Sequence, residues 1–180
     1  MIKKSGPVLE LLPPRGEYAR LMHRWMRQPS SIRYSSMKRL GVEKIKKRIM
    51  QEKQDLRRRL KLPSCRWFVR AGEDIVGTVS LHNVKRGDKV AEVGAMMGEE
   101  FQGRGLGARA VEMLVDKVFA ETDIRKLMAY VNERNRASRR LAESLGFKKE
   151  GLLRRQLLVN GRPANEVVYG LLRSERKKRG

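Results

Sequence analysis

A chain of 180 residues can bury one sizeable core but is short for two domains, because single domains commonly contain about 100–200 residues. Its composition, 40% hydrophobic and 34% charged, excludes an intrinsically disordered chain. Its apolar runs are far shorter than the roughly 18–20 residues of a membrane-spanning helix, which excludes a membrane span.

The net charge of +22 predicts a surface that attracts polyanions. The basic residues are densest over residues 33–61 and 173–179, which is typical of contact with RNA, the ribosome or an acidic surface. No nucleic-acid motif accompanies them, so a merely solvated basic face is the alternative. The N-terminus lacks the apolar stretch of a secretory signal peptide, and the single cysteine, Cys65, cannot form an internal disulfide. We therefore expect a cytoplasmic protein.

The first third of the chain predicts one strand followed by two amphipathic helices. Residues 8–12 form the strand, which ends at two prolines because proline cannot donate to a strand ladder. Apolar residues then recur every three or four positions from residue 17 until Pro29, and again from residue 42 until Pro63. This spacing predicts two helices, each with one buried face.

The middle third predicts an antiparallel meander that leads into a helix. Residues 66–71 and 75–82 are rich in β-branched and aromatic residues and are separated by a turn. Residues 90–97 form a third strand, apolar except for Glu92. A glycine-rich segment follows, and apolar spacing then predicts a helix over residues 105–119.

The last third predicts a short strand, a helix and a hairpin. Residues 127–131 form the strand, and the helix opens at Asn135 and ends at Gly146, where a left-handed residue is wanted. An Asn-Gly pair then turns the chain between strands over residues 152–159 and 166–172, with the extra residues after it implying a longer loop.

These elements follow the order β α α β β β α β α β β. That order predicts an α/β fold with a mixed, mainly antiparallel sheet flanked by helices. We expect a single domain over residues 1–172 and a disordered basic tail over residues 173–180.

The glycine-rich segment after the third meander strand carries the clearest chemical signal. Its alternate glycines expose backbone N–H groups to an anion, and the following helix N-terminus adds partial positive charge. The glycine spacing and the antiparallel strands exclude a Rossmann dinucleotide fold, and the missing Gly-Lys-Ser/Thr excludes a P-loop. The predicted pyrophosphate-binding residues are Gln102, Gly103, Arg104, Gly105, Leu106 and Gly107.

This turn resembles the signature Gln/Arg-x-x-Gly-x-Gly/Ala of the GNAT superfamily of acetyl-CoA-dependent N-acetyltransferases. Two downstream segments, Asn-Arg-Ala-Ser at residues 135–138 and Leu-Gly-Phe-Lys-Lys-Glu-Gly at residues 145–151, resemble the branch of ribosomal-protein N-terminal acetyltransferases that contains RimJ and RimL. By the order of elements, the resemblance covers residues 8–172.

The resemblance implies that acetyl-CoA binds as co-substrate where the fourth and fifth strands separate. Main-chain groups of Ala95, Met96 and Met97 are then expected to pair with the pantetheine arm like an added strand. Asn135 is expected either to contact the pantetheine or simply to cap its helix. No metal site is predicted, because the two histidines of the chain have no ligand-spaced partners.

The family mechanism, direct attack of a neutral amine on the thioester, implies a base and an acid. Glu92 is the candidate base because it is the one acidic residue in an apolar strand, and a salt-bridged structural carboxylate is the alternative. Many relatives have a tyrosine as acid where this chain has Ala142. Ser138, one helical turn earlier, is therefore the candidate acid and cofactor contact, with stabilisation of the helix start as the alternative.

The resemblance thus predicts an acetyl-CoA-dependent N-acetyltransferase, and three acceptors or roles stay open. The first is acetylation of a protein, at an N-terminal α-amine or a lysine. The second is acetylation of a small amine such as an antibiotic or polyamine, which a net charge of +22 disfavours for polyamines. The third is a non-catalytic CoA-binding module that holds RNA or the ribosome. The oligomeric state, a dimer included, is left open.

Overall fold

The computed structural model of the chain describes residues 6–57 and 65–176. Its strands are β1 (Leu9–Leu12), β2 (Cys65–Ala71), β3 (Asp74–Lys85), β4 (Val90–Met97), β5 (Lys126–Asn132), β6 (Lys148–Val159) and β7 (Arg162–Leu172). They form one seven-stranded sheet in the order β1-β2-β3-β4-β5-β7-β6. All neighbours are antiparallel except β4 and β5, which confirms the predicted mixed, mainly antiparallel sheet.

Helices cover both faces of this sheet. The α-helices are α1 (Ala19–Trp25), α2 (Pro29–Tyr34), α3 (Val42–Arg57), α4 (Leu106–Glu121) and α5 (Arg136–Ser144). The predicted order is therefore wrong at one point, because three helices rather than two separate β1 from β2. The first predicted helix does end before Pro29, but Pro29 then begins the unpredicted α2, since the first helical turn does not need the N–H that proline lacks.

The two sheet faces have separate hydrophobic cores. On one face, α4 buries Leu114 and Val115 against Leu127 of β5 and Tyr169 of β7. On the other face, α1 and α3 cover the β2–β4 half of the sheet. The second core contains Trp25, Ile45, Ile49 and Phe68. The face of β4 that points toward α1 and α3 is therefore the face from which Glu92, Gly94 and Met96 project.

The single parallel pairing in this sheet is short. Strands β4 and β5 pair only from Val90 with Lys126 to Glu92 with Met128, the last pair. Beyond this point β4 continues to Met97 and β5 continues to Asn132, but the two strands no longer pair with each other. A gap thus opens between the two strands at the centre of the sheet, where the resemblance implied that the cofactor binds.

The hairpin of β6 and β7 is tighter than expected. Val159 pairs with Arg162, so Asn160 and Gly161 alone make the turn, with φ of +51° and +75°. Both values lie in the left-handed region that two-residue hairpin turns of this kind require. The predicted longer loop is therefore wrong. Pro163 can lie in β7 because β5 pairs with that strand only from Glu166 onward.

The chain end described by the structure is ordered, contrary to the predicted disorder from residue 173. Residues Arg173–Glu175 form a short 3₁₀ helix. Arg173 donates from Nε to the carbonyl of Ile124 at 2.9 Å, and Arg176 donates from Nε to Asp116 of α4 at 2.8 Å. These contacts fix residues 173–176 against the end of α4, and residues 177–180 lie outside the described part of the chain. Among the described helices, none has the length and apolarity needed to cross a membrane.

Candidate active site

The glycine turn presents its main chain rather than its side chains. Gly103 and Gly105 have φ of +75° and +74°, a conformation that favours glycine. A Cβ added at either position would meet no atom within 4 Å, so both sites open onto free space. Gly105 is the N-cap of α4 and no side chain caps this helix. The first N–H groups of α4 lack intrahelical acceptors and are therefore available to an anion.

Packing brings this turn to the open end of β4. The Cβ position of Gly107 lies 3.3 Å from Cγ of Met97 and 3.6 Å from Leu141 of α5. A Cβ at this position would be in ordinary contact with Leu141 and would require the Met97 side chain to shift by a few tenths of an ångström. Leu106 is buried in the core and anchors the helix start, whereas Arg104 is exposed, with its guanidinium 6.0 Å from the ring centroid of Phe101. Of the predicted side chains, Arg104 is thus free to reach a phosphate.

The side chain of Gln102 hydrogen-bonds the end of β4 to the start of α2. Its Nε2 donates to the carbonyl of Met97 and to Oγ of Ser30, both at 3.1 Å. Gln28 donates to the same Met97 carbonyl at 2.8 Å and accepts from the N–H of Glu99. Two donors thus occupy the Met97 carbonyl, leaving it no free lone pair for the pantetheine arm. Pairing of the arm with Ala95 and Met96 stays a prediction.

Helix α2 bridges the two diverging strands. Its N-cap residue Gln28 donates to the Met97 carbonyl at the end of β4, and the carbonyl of Tyr34 at its own end accepts from Nδ2 of Asn132 on β5 at 3.2 Å. Six residues at 1.5 Å each give α2 a length of about 9 Å, roughly twice the spacing of paired strands. The carbonyl of Ile32 also accepts from Asn160 at the hairpin tip, at 3.5 Å. The open end of the gap is therefore bordered by α2 and the hairpin.

Asn135 and Ser138 lie at the start of α5, beside α4. Oδ1 of Asn135 accepts from the backbone N–H of Ser138 at 3.1 Å, so the expected helix cap is present. The donor in this bond is the main-chain N–H of Ser138, and the hydroxyl of Ser138 is not involved. Within the described residues the hydroxyl of the half-buried Ser138 makes no hydrogen bond, so it is free for another role.

Glu92 is half-buried at the last paired position of β4. Among residues 6–57 and 65–176 no lysine or arginine lies within salt-bridge distance of it, so the alternative of a salt-bridged structural carboxylate gains no support. Strand β3 places His82 directly opposite Glu92.

Two residues that the sequence did not single out share the face of Glu92. Tyr130 of β5, 40% exposed, lies two residues beyond the last β4–β5 pair, and Glu166 of β7 pairs with Asn132. Burial raises the pKa of Tyr130, and the charges of Glu92 and Glu166 raise it further. Burial also raises the pKa of Glu166, with a second contribution from Glu92. No local sequence signal marks Tyr130, because residues 127–131 are uniformly apolar or aromatic and show no alternation.

Charge is divided around the gap. The carboxyl groups of Glu92 and Glu166 lie on its inner wall and make it acidic, and the charges of both raise the pKa of the neutral Tyr130 beside them. The border carries exposed cations that form no ion pair with any carboxylate in the described ranges. These border residues are Arg33 of α2 and Arg162 of the hairpin. We call these two residues the basic rim.

No group of three or more metal-ligating side chains occurs within the part of the chain that the structure describes. His23 lies on α1, and His82 of β3 is hydrogen-bonded to Ser80, with 2.7 Å between Nε2 and Oγ. Burial, reinforced by the charges of Arg66 and Arg48, lowers the pKa of His82 to about 4, so this imidazole is neutral at physiological pH.

Comparisons with known proteins identify the family of this chain. A family model described as an acetyltransferase (GNAT) domain matches residues 9–148. YdaF of Bacillus subtilis (strain 168), provisionally named a ribosomal N-acetyltransferase, is 34% identical over 101 residues, which are 56% of this chain and 55% of that protein. The spermidine N(1)-acetyltransferase of Escherichia coli (strain K12) is 28% identical over 102 residues, 57% of this chain and 55% of that protein. The chain thus spans about half the length of the curated relatives it matches.

A solved structure shows the same fold over nearly the whole chain. RimL, a ribosomal L7/L12 α-N-protein acetyltransferase determined with coenzyme A, superposes with a TM-score of 0.82 at 19% identity, covering 95% of this chain and 97% of RimL. The predicted fold class and the resemblance to the GNAT superfamily are therefore confirmed. Relatives named for ribosomal and for spermidine acetylation both match, so the comparisons do not choose between these acceptors.

Proposed function

Because this chain belongs to the GNAT acetyltransferase domain family, we propose that it transfers an acetyl group from acetyl-CoA to a primary amine, the N-terminal α-amine of a protein. The observation that carries the proposal is the gap between β4 and β5, which opens beyond Glu92 and Met128 and ends beside the glycine turn. One site thus combines an anion cradle with an unpaired strand edge.

Acetyl-CoA would bind along this path. The main-chain N–H groups from Gly103 to Gly107 would hold the pyrophosphate at the start of α4, with Arg104 as an additional cation. The unpaired edge of β4 at Ala95 and Met96 would hydrogen-bond the pantetheine arm, as in strand addition. The Met97 carbonyl would not take part, because Gln28 and Gln102 already occupy it.

The chemistry needs two protons removed from the amine and one supplied to the sulfur. An α-amine has a pKa near 8 and a lysine near 10.4, so most acceptor is protonated at neutral pH and a base must take its first proton. Glu92 would accept that proton, directly or through a water molecule. The neutral amine nitrogen would then attack the thioester carbonyl, and the C–S bond would break as the amide forms. The free hydroxyl of Ser138 would pass its proton to the departing thiolate and regain one from the nitrogen, which loses its second proton in this step.

The charge distribution favours an α-amine at the end of an anionic partner. The negative inner wall near Tyr130 attracts an ammonium group, while the basic rim repels a molecule that is cationic throughout, such as a polyamine. The same rim would contact RNA, the ribosome or an acidic protein segment. Spermidine is the alternative acceptor, favoured by the match to the spermidine acetyltransferase.

An acceptor screen tests the proposal. The protein is supplied with acetyl-CoA and with N-terminal peptides, internal lysine peptides or spermidine, and free thiol is measured over time. We expect thiol release with N-terminal peptides and an acetylated α-amine by mass spectrometry. Release with spermidine alone would instead assign the small-amine function, and binding of acetyl-CoA without release for any amine would leave only a CoA-binding module.

A further inference from the structure

A cavity of about 180 Å³ lies beside the proposed site, between α1, α3 and strands β3 and β4. It reaches the open part of β4 at Gly94, Ala95 and Met96, on the face that carries Glu92. Its volume is below the roughly 300–1,000 Å³ typical of sites for drug-sized ligands, so it fits one side chain rather than a large molecule. It adjoins the place where the acceptor amine would meet the thioester.

The walls of this cavity are apolar and adaptable. Four methionines contribute to them: Met22, Met26, Met37 and Met96. Methionine is unbranched and flexible, so it packs against side chains of different shapes. Met37 is 52% exposed and stands at the mouth, in the segment that follows α2.

A neutral polar pair forms part of the floor. Ser80 and His82 are hydrogen-bonded to each other and both line the cavity. The residue opposite on β4 is Gly94, which adds no side chain over the pair; a Cβ there would lie 3.1 Å from Nε2 of His82 and 3.3 Å from Oγ of Ser80. The pair can therefore donate or accept one hydrogen bond with a group in the cavity.

The one carboxylate that lines the cavity is already shared. Glu52 contacts Nε of Arg66 at 3.2 Å and Nε of Arg48 at 3.7 Å. Burial, followed by the charges of these two arginines, lowers the pKa of His82, so this lining imidazole is neutral as well. A cationic group placed in this cavity would therefore find no unshared carboxylate among the lining residues.

We propose that this cavity receives the side chain of the acceptor's first residue, admits uncharged apolar or hydroxyl-bearing side chains, and rejects lysine and arginine. This inference rests on the proposed function and specifies its acceptor: an N-terminal α-amine on a residue such as methionine, leucine or serine. A polyamine with its second amine in the same cavity would be disfavoured for the same reason.

A peptide series tests the inference. The peptides share one sequence after the first residue, which is glycine, serine, leucine, methionine, lysine or arginine, and thiol release gives kcat and KM for each. We expect kcat/KM for the serine, leucine and methionine peptides to exceed that for the lysine and arginine peptides at least tenfold. Equal or better turnover of the lysine and arginine peptides overturns the inference.

Three variants distinguish a role of the cavity in acceptor selection from a general loss of activity. Met37→Trp blocks the mouth, so KM should rise for the methionine peptide and stay unchanged for the glycine peptide, which has no side chain to insert. Met50→Trp, at an exposed α3 methionine that does not line the cavity, should change neither. Gly94→Ala covers the polar pair and should weaken the serine peptide more than the leucine peptide.

The outcomes also distinguish the inference from the proposed function. Turnover that ignores the first side chain, or a Met37→Trp effect that is equal for the glycine and methionine peptides, overturns the inference and leaves the enzyme activity standing. No thiol release with any peptide or small amine, from a protein that binds acetyl-CoA, overturns both.

Discussion

Glu92 of β4 and Met128 of β5 are the last residues to pair across the parallel junction of the described sheet. Five residues later β4 ends at Met97, and four residues later β5 ends at Asn132, with α2 fastened between these ends. The gap is therefore held open by a built element. A preformed opening suits a co-substrate that adds to the sheet, because little chain ordering is needed on binding.

Substitutions in the glycine turn should weaken acetyl-CoA binding through added negative charge rather than through backbone strain. We expect Gly105→Glu to weaken acetyl-CoA binding at least tenfold, because a carboxylate would stand where the N–H groups face the pyrophosphate. Isothermal titration calorimetry measures the affinity. Gly72→Glu is the matched control, since Gly72 also has positive φ (+63°) and open space around it but lies in the β2–β3 turn. An equal loss in both variants would show that backbone strain, not the anion cradle, is responsible.

Glu92→Gln should reduce turnover without reducing cofactor affinity. Removal of a general base commonly lowers rates about 10²–10⁴-fold, and the rise of kcat/KM with pH that reports the base should disappear. Steady-state kinetics from pH 5 to 9 with the best acceptor measure both effects. Glu73→Gln, at an exposed turn position, is the control. A pH profile that keeps its shape in Glu92→Gln would remove this residue as the base.

Ser138 and Asn135 can be separated because the helix cap uses only the backbone of Ser138. Ser138→Ala should leave the melting temperature unchanged and lower kcat, since it removes the proton donor but keeps the cap. Asn135→Ala should lower the stability by about 1 kcal/mol, the usual effect of losing an N-cap side chain. Thermal melts combined with kinetics test the pair. A stable Ser138→Ala variant with full activity would exclude the hydroxyl from catalysis.

Local periodicity predicted the strands well but not the site. The spacing of apolar residues correctly predicted β4 and the helices and strands that follow it along the chain, because such spacing depends only on near neighbours. It missed α2, a six-residue helix whose Pro29 has the same sequence signature as a helix stop. It also missed Tyr130 and Glu166, since their meeting with Glu92 depends on the register of three strands. No local pattern encodes that register.

Two carboxylates should change stability with pH in opposite directions. Burial raises the pKa of Glu166, with a further rise from Glu92, so its ionisation above the usual carboxyl range destabilises the fold. Lys148 lowers the pKa of Glu175 through a 2.6 Å hydrogen bond, so its contribution is present above about pH 4.3 and is lost as pH falls through the lowered pKa.

At pH 7, Glu166→Gln should therefore raise the melting temperature, whereas Glu175→Gln should lower it. The Glu166→Gln difference should shrink as the pH falls to the usual carboxyl range, and the Glu175→Gln difference should shrink as the pH falls through the lowered pKa of Glu175. Thermal melts at half-unit steps from pH 3 to 8 follow this. Changes of the same sign in both variants would contradict the opposite pKa shifts.

The basic rim should bind polyanions through local contacts rather than through the total charge of +22. Arg33→Glu/Arg162→Glu reverses two exposed cations beside α2 and the hairpin, and Lys85→Glu/Arg86→Glu makes the same charge change at the other end of β4. Binding of a single-stranded RNA is measured by fluorescence anisotropy across salt concentrations. Each lost phosphate contact lowers the magnitude of the log–log slope by about 0.7, so we expect the rim variant to lose about 1.4 and the control to keep its slope. Equal losses would show that only the overall field attracts polyanions and that the border of the gap has no special part in it.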